Sequence, residues 1–215
     1  MTRLSSKNIF INCPYDKHYV ALRPIVFTVS SLGFNPRLAL ESVDSGTMRI
    51  DRILRLIKES RYAIHDLSHL RAYRRGEHFR LNMPFELGLD YGCRVFGKAE
   101  FKQKKFLVLE KDKYSIKAAL SDLSNADVCS HNGKPAVAVL HVRNWLVNET
   151  GVSGSSGTTI WYQFNDFMAD LDKKLRHDGF KKADIDSLPL PELLEYMKEW
   201  FKNNGKVVSL SVAKN

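Results

Sequence analysis

The sequence predicts a doubly wound α/β domain with a parallel sheet of about five strands, followed by a C-terminal helical extension. From residue 8 to about residue 150, short apolar runs alternate with segments of helical periodicity. That alternation is typical of a parallel sheet covered by helices on both faces, in the flavodoxin-like arrangement. Of the 215 residues, 44% are hydrophobic and 27% charged, which is enough apolar material for a sizeable core.

Each predicted strand is a short apolar run rich in β-branched or aromatic residues. The first run, NIFINC, ends at Pro14. The predicted strands cover residues 8–13, 34–40, 61–67 and 105–110, and residues 113–130 hold a short helix and a weak fifth strand.

The helices are predicted from apolar residues three and four positions apart. Pro24 falls inside the first helix, where it marks either a kink or the true first turn, and Gly33 ends that helix. Pro84 opens the third helix, where its missing N–H does no harm. The predicted helices cover residues 17–32, 49–57, 84–97 and 135–147.

Residues 151–159, GVSGSSGTT, are predicted to be a connector, because they lack the lysine and the spacing of a phosphate-binding loop. We therefore expect an α/β domain over residues 1–150 and an extension over residues 151–215. The extension carries helical patterns at 160–174 and 191–201, which we expect to pack on the first domain or on a second copy.

The net charge of +9 favours a nucleotide or another phosphorylated ligand as partner. Nucleic acid is a minor alternative, since no RNP pattern and no zinc-finger spacing occur. No apolar run approaches the roughly 20 residues of a membrane helix, and the N-terminus lacks the apolar core of a signal peptide. The three cysteines form no CxxC pair. We expect a cytoplasmic protein with no metal and no membrane partner.

In doubly wound sheets, ligands bind at the carboxyl ends of the strands. The candidate site residues therefore follow the predicted strands or begin the third helix. They are Asn12, Pro14 and Tyr15, then Asp44, Ser45 and Gly46, then Asp66 and Ser68, and finally Asn82, Glu86 and Gly88.

Glu86 is the most informative of these residues. It is an acidic residue in an apolar helix start, followed by Gly88 and Gly92 one turn apart. Glycine inside a helix costs about 1 kcal/mol relative to alanine, so close approach of a ligand or a backbone is one explanation. The alternative is that Glu86 only stabilises the helix start through the helix dipole.

His65, in the predicted third strand, is expected to be a packed core residue. A basic loop separates that strand from the third helix. The loop either holds a pyrophosphate or a nucleic-acid backbone, or is an exposed segment without a fixed ligand. Its arginines are Arg71, Arg74, Arg75 and Arg80, with His69 and His78 between or beside them.

Several motifs over about residues 7–110 resemble one superfamily: KNIFINCPYD, a helix ending in LGF, a DSG turn, IKESRYAIHDLS and NMPFELGLDYG. This succession resembles the nucleoside 2-deoxyribosyltransferase-like and TIR-like domains, which in bacteria often belong to anti-phage defence systems. The resemblance implies that Glu86 is the catalytic glutamate and that Asp66 contacts ribose or base. Both branches of the superfamily stay open.

The resemblance implies an N-glycosidase that takes NAD as substrate rather than as cofactor, acting in defence against phage. It also implies a homo-oligomer, in which a neighbouring copy completes the pocket, and a partner protein of the defence system. One alternative is a nucleoside deoxyribosyltransferase or nucleotide hydrolase, in which Asp66 protonates the leaving base. Another is a non-catalytic nucleotide-binding sensor or scaffold.

Overall fold

The computed structural model describes residues 4–15, 19–41, 44–70, 81–123 and 127–204. Its sheet has five strands in the order β2-β1-β3-β4-β5, and all neighbouring strands are parallel. The strands are β1 (Ser5–Asn12), β2 (Asn35–Arg37), β3 (Ser60–Asp66), β4 (Lys105–Glu110) and β5 (Val128–Ser130). This order confirms the predicted doubly wound, flavodoxin-like fold and places the topological switch point between β1 and β3.

Eight α-helices lie in the described residues, with short 3₁₀ helices at Ala99–Gln103 and Ser121–Leu123. The α-helices are α1 (Leu22–Ser31), α2 (Arg49–Glu59), α3 (Asn82–Phe96), α4 (Ser115–Ala119), α5 (Pro135–Thr150), α6 (Gly157–His177), α7 (Lys182–Asp186) and α8 (Leu190–Asn203). Pro24 lies in the first turn of α1, so its missing N–H interrupts no helical hydrogen bond. No helix in these ranges is both long and apolar enough to cross a membrane.

Several element boundaries differ from the predicted ones: α1 begins at Leu22 instead of residue 17, β1 begins at Ser5 instead of residue 8, and α5 continues to Thr150 instead of residue 147. Two further differences have a cause in local side-chain contacts. β2 ends at Arg37 instead of residue 40, since the Glu41 carboxylate accepts the N–H of Leu38 over 2.7 Å and turns the chain. α6 begins inside the predicted connector, because the Ser156 hydroxyl caps it by accepting the N–H of Thr159 over 3.1 Å.

The C-terminal helices pack on the first domain and share its core. Phe27 of α1 is fully buried. Four aromatic rings of α6 and α8 surround its ring at centroid distances of 4.8 to 5.8 Å: Phe164, Phe167, Trp200 and Phe201. The extension therefore covers the α1 side of the sheet and leaves the α2 and α3 side to the candidate site.

Candidate functional site

Glu86 lies in the second turn of α3, because the helix begins at Asn82 rather than at Pro84. The helix dipole stabilises acidic residues mainly in the first turn of a helix. Stabilisation of the helix start is therefore a poor explanation for an acidic residue at this position. Only 4% of Glu86 is exposed, and its carboxylate accepts no hydrogen bond from another described residue. Burial raises the pKa of Glu86 to about 7, against an opposing effect of the Arg49 charge.

Tyr15 and Arg49 lie within electrostatic range of this carboxylate. The Tyr15 hydroxyl donates to the carbonyl of Ile11 over 3.1 Å, so it is already used inside the chain. The Arg49 guanidinium lies over the Tyr15 ring, 5.7 Å from the centroid. Burial raises the pKa of Tyr15 well above its usual value, and the negative charge of Glu86 adds to that effect. The structure thus brings two predicted residues, Tyr15 and Glu86, together with Arg49, which the sequence analysis had not selected.

Asn12 belongs to a buried network of hydrogen bonds and charges beneath α3. Its amide nitrogen lies 3.0 Å from Nδ1 of His65 and donates to the carbonyl of Met83 over 2.8 Å. Because that amide nitrogen is a donor, Nδ1 accepts and the ring proton lies on Nε2, 3.3 Å from Asp90 Oδ2. Oδ1 of Asp90 lies 3.0 Å from the ammonium group of Lys104. Asn12 therefore holds the first turn of α3 instead of presenting its amide to a ligand.

Asp66 is fully buried at the end of β3 and is surrounded by donors. Its carboxylate accepts hydrogen bonds from the hydroxyls of Tyr19 and Ser68. It also accepts the N–H of Ser68 over 2.9 Å and lies 3.1 Å from Nε2 of His131. Burial by itself raises the pKa of Asp66, but these hydrogen bonds outweigh burial and hold the pKa below its usual value. Asp66 is thus an ionised acceptor at neutral pH.

Ser68, His131 and Asp66 have the composition of a hydrolytic triad but not its geometry. Nδ1 of His131 accepts the N–H of Gly133 over 3.2 Å, so the ring proton lies on Nε2. The Ser68 hydroxyl oxygen is 2.8 Å from that same protonated nitrogen. A triad needs one imidazole nitrogen to accept the serine proton while the carboxylate holds the other. The cluster instead ties the ends of β3 and β5 together.

The remaining predicted residues lie at the edge of the site or on the surface. The Asp44 carboxylate closes the turn before α2, accepting the N–H of Gly46 over 2.9 Å. Asn82 and Gly88 are exposed on α3, and a Cβ added at Gly88 would meet no atom within 4 Å. Of the other two predicted site residues, Pro14 is buried and Ser45 is exposed. The predicted basic-loop residues Arg71, Arg74, Arg75, His78 and Arg80 lie outside the described residues.

The chain matches no family model, no curated protein and no solved structure. In the described ranges, no group of three or more His, Cys, Asp or Glu residues could hold a metal ion.

Sequence reasoning missed Arg49, Tyr19, His131, Asp90 and Lys104. The strand-end rule points to His131, which directly follows β5. The same rule points to Glu110, but its carboxylate accepts the N–H groups of Tyr114 and Ile116 over 2.8 and 3.0 Å and so caps α4. No local pattern marks Asp90 or Lys104, because their roles arise only from contact with each other.

Proposed function

We propose that this protein cleaves the N-glycosidic bond of NAD or a related nucleotide, with Glu86 as the catalytic residue. The observation that carries the proposal is Glu86, a residue that is 4% exposed and whose carboxylate accepts no hydrogen bond from another described residue. Keeping a largely buried carboxyl group without a hydrogen-bond donor from the described residues is costly, and such a group with a raised pKa is a candidate functional group.

The reaction requires one well-placed negative charge. Breaking the bond passes through an oxocarbenium-like state at the anomeric carbon of the ribose. The bonding electron pair leaves with the nicotinamide nitrogen, which becomes neutral, and water forms the new C–O bond and releases a proton. An ionised Glu86 at about 3 Å from the anomeric carbon would stabilise the positive charge or bond to that carbon.

The state of Asp66 favours a cationic leaving group. A neutral purine needs a proton as it leaves, and Asp66 was the predicted donor. Its pKa is held below the usual value and its oxygens are occupied by Tyr19, Ser68 and His131. Nicotinamide in NAD is already cationic and leaves without a proton. This comparison supports NAD over a neutral deoxynucleoside as the substrate.

Two parts of the proposal come from the resemblance alone: assembly into a homo-oligomer, and control by a partner protein in defence against phage. The aromatic side chains of α6 and α8 pack on Phe27 of α1, so two copies of the protein would assemble through another surface. Light scattering after size exclusion at several protein concentrations tests the assembly.

The decisive experiment compares the native protein with Glu86→Gln on NAD and on a panel of deoxynucleosides. Release of nicotinamide or of free base is measured at several protein concentrations, so that a requirement for assembly is detected. We expect nicotinamide release from NAD and a loss of about 100-fold or more in Glu86→Gln. Glu195→Gln, at an exposed glutamate paired with Lys198, is the matched control and should be fully active.

Equal rates for the native protein and Glu86→Gln on every substrate would refute the catalytic assignment. Tight binding of NAD that is recovered unchanged after long incubation would instead favour the non-catalytic sensor.

A further inference from the structure

Arg49 is an exposed cation beside a buried anion. It is the first residue of α2, and its guanidinium covers the Tyr15 ring at 5.7 Å. Tyr15 follows β1, whose last residue, Asn12, donates to the carbonyl of Met83 in the first turn of α3. The guanidinium therefore lies at the same edge of the sheet as Glu86, and its charge lowers the pKa of Glu86. No described carboxylate lies within ion-pair distance of Arg49, which leaves its charge without an anionic partner in the described chain.

The positive charge of Arg49 opposes the proposed reaction. The ribose becomes positively charged as the glycosidic bond breaks, and a neighbouring guanidinium opposes this charge. An anionic group on the substrate, bound to the guanidinium, would neutralise it and remove the penalty. A guanidinium binds phosphate through paired charge-assisted hydrogen bonds.

The start of α2 supports the same ligand. The N-cap residue Met48 provides no side-chain cap, so the first amide groups of this 11-residue helix have no side-chain acceptor there. Asp51 donates its N–H to the Met48 carbonyl over 3.1 Å, and the N–H groups of Arg49 and Ile50, together with the helix dipole, favour an anion at this end. Asp51 is the acidic residue of the first turn, and it is exposed.

We propose that Arg49 binds a phosphate of the substrate next to the ribose that Glu86 attacks, so that the protein takes nucleotides and rejects the corresponding nucleosides. This inference rests on the proposed function. It adds the substrate feature that is recognised, a phosphate attached to the ribose, and the residue that recognises it.

Nicotinamide mononucleotide and nicotinamide riboside test the inference, because they share the ribose and the leaving group and differ only in the phosphate. In the native protein we expect kcat/KM to be at least about tenfold higher for the mononucleotide. Arg49→Met should remove most of this preference, by lowering kcat/KM for the mononucleotide and by raising it for the riboside, whose ribose is then no longer opposed by the guanidinium. Arg55→Met, at an exposed arginine of the same helix, should keep the preference.

Binding separates this inference from the proposed function. Calorimetry on Glu86→Gln measures the affinity for both compounds without turnover, and Glu86→Gln/Arg49→Met shows the contribution of Arg49. A mononucleotide that binds at least about tenfold tighter than the riboside, with the difference lost in the double variant, supports the phosphate site even if the native protein cleaves neither compound. Equal affinities, no binding of either compound, or a preference that survives Arg49→Met would overturn it.

Discussion

Glu86 and Asp66 are two buried carboxyl groups with opposite surroundings. Burial raises the pKa of Glu86 to about 7, whereas the hydrogen bonds to Asp66 hold its pKa below the usual value. They also belong to different sides of the sheet. His65 contacts Asp90 of α3, and because successive side chains of a strand alternate, the next residue, Asp66, faces away from α3. The sheet therefore separates a carboxylate that accepts no hydrogen bond from another described residue from one that is held by several donors.

The rate of glycosidic cleavage should rise with pH through the pKa of Glu86. Only the ionised carboxylate stabilises positive charge, and burial places its pKa at about 7. We expect kcat/KM to fall about tenfold per pH unit below that value and to level off above it. Stopped assays of nicotinamide release between pH 5.5 and 9 measure the profile.

The variant Arg49→Met provides the control for this profile. Removal of the positive charge that lowers the pKa of Glu86 should move the midpoint to higher pH. A midpoint that stays in place in this variant, or a native rate that is flat from pH 6 to 8, would contradict the role given to Glu86.

Glu86→Gln should be more stable than the native protein at pH 8. A folded pKa of about 7 against 4.5 in the unfolded chain means that ionised Glu86 costs up to about 3 kcal/mol. The sign follows from proton binding. Between the two pKa values the folded state holds the proton more tightly, so native stability falls as pH rises through this range. The gain in the variant should thus be largest above pH 7 and vanish below about pH 4.5.

Urea unfolding at pH 5 and at pH 8 measures this difference, with Glu195→Gln as the exposed control. A Glu86→Gln protein that is less stable than the native protein at pH 8 would show that the carboxylate has a partner within the fold.

The sheet could be predicted from the sequence because its central strands are apolar over most of their length. The predicted runs at 8–13, 61–67 and 105–110 overlap β1, β3 and β4 closely. The limits of β2 could not be predicted, since they depend on one side-chain contact of Glu41.

The strand-end rule selects Asn12 and Asp66 correctly as residues at the carboxyl edge of the sheet. It could not show how they are used, because their partners are distant in sequence. Asn12 contacts His65 across 53 residues and Asp66 contacts His131 across 65. Whether a polar side chain is consumed within the fold or left for a ligand is decided by such contacts, which no local pattern encodes.

Asp66→Asn should destabilise the fold at neutral pH by about 2 to 4 kcal/mol. The amide would place its donor nitrogen among the donors that now surround the carboxylate. The pKa of Asp66 is lowered on folding, so its contribution is present above the unfolded pKa and is lost as pH falls through the folded pKa. The difference between variant and native protein should therefore shrink below about pH 4.

Unfolding midpoints measured from pH 3 to pH 7 test this account of Asp66. A variant with native stability at pH 7 would mean that the cluster around Asp66 does not hold the strand ends together.

Phe27→Ala should cost about 3 to 5 kcal/mol, because the ring is fully buried among four aromatic rings of α6 and α8. Phe96→Ala is the matched control, since that ring is 88% exposed, and its effect should stay within about 0.5 kcal/mol. Thermal unfolding of both variants gives the comparison. Equal effects would show that the C-terminal helices do not share the core of the α/β domain.

Lys104 and Asp90 form an ion pair of 3.0 Å in which neither side chain has any exposed surface. Lys104→Met would leave the Asp90 charge buried without its cation, so we expect a loss of about 3 to 5 kcal/mol. The double variant Lys104→Met/Asp90→Leu removes both charges and should recover part of that loss, since the carbonyls of Ile57 and Ser60 and the ring N–H of His65 lose their partners. Lys105→Met is the control, because Lys105 has a half-exposed side chain in a looser pair and its removal should cost at most about 1 kcal/mol. If urea unfolding shows the double variant to be no more stable than Lys104→Met, the pair is not what compensates the buried charge beneath α3.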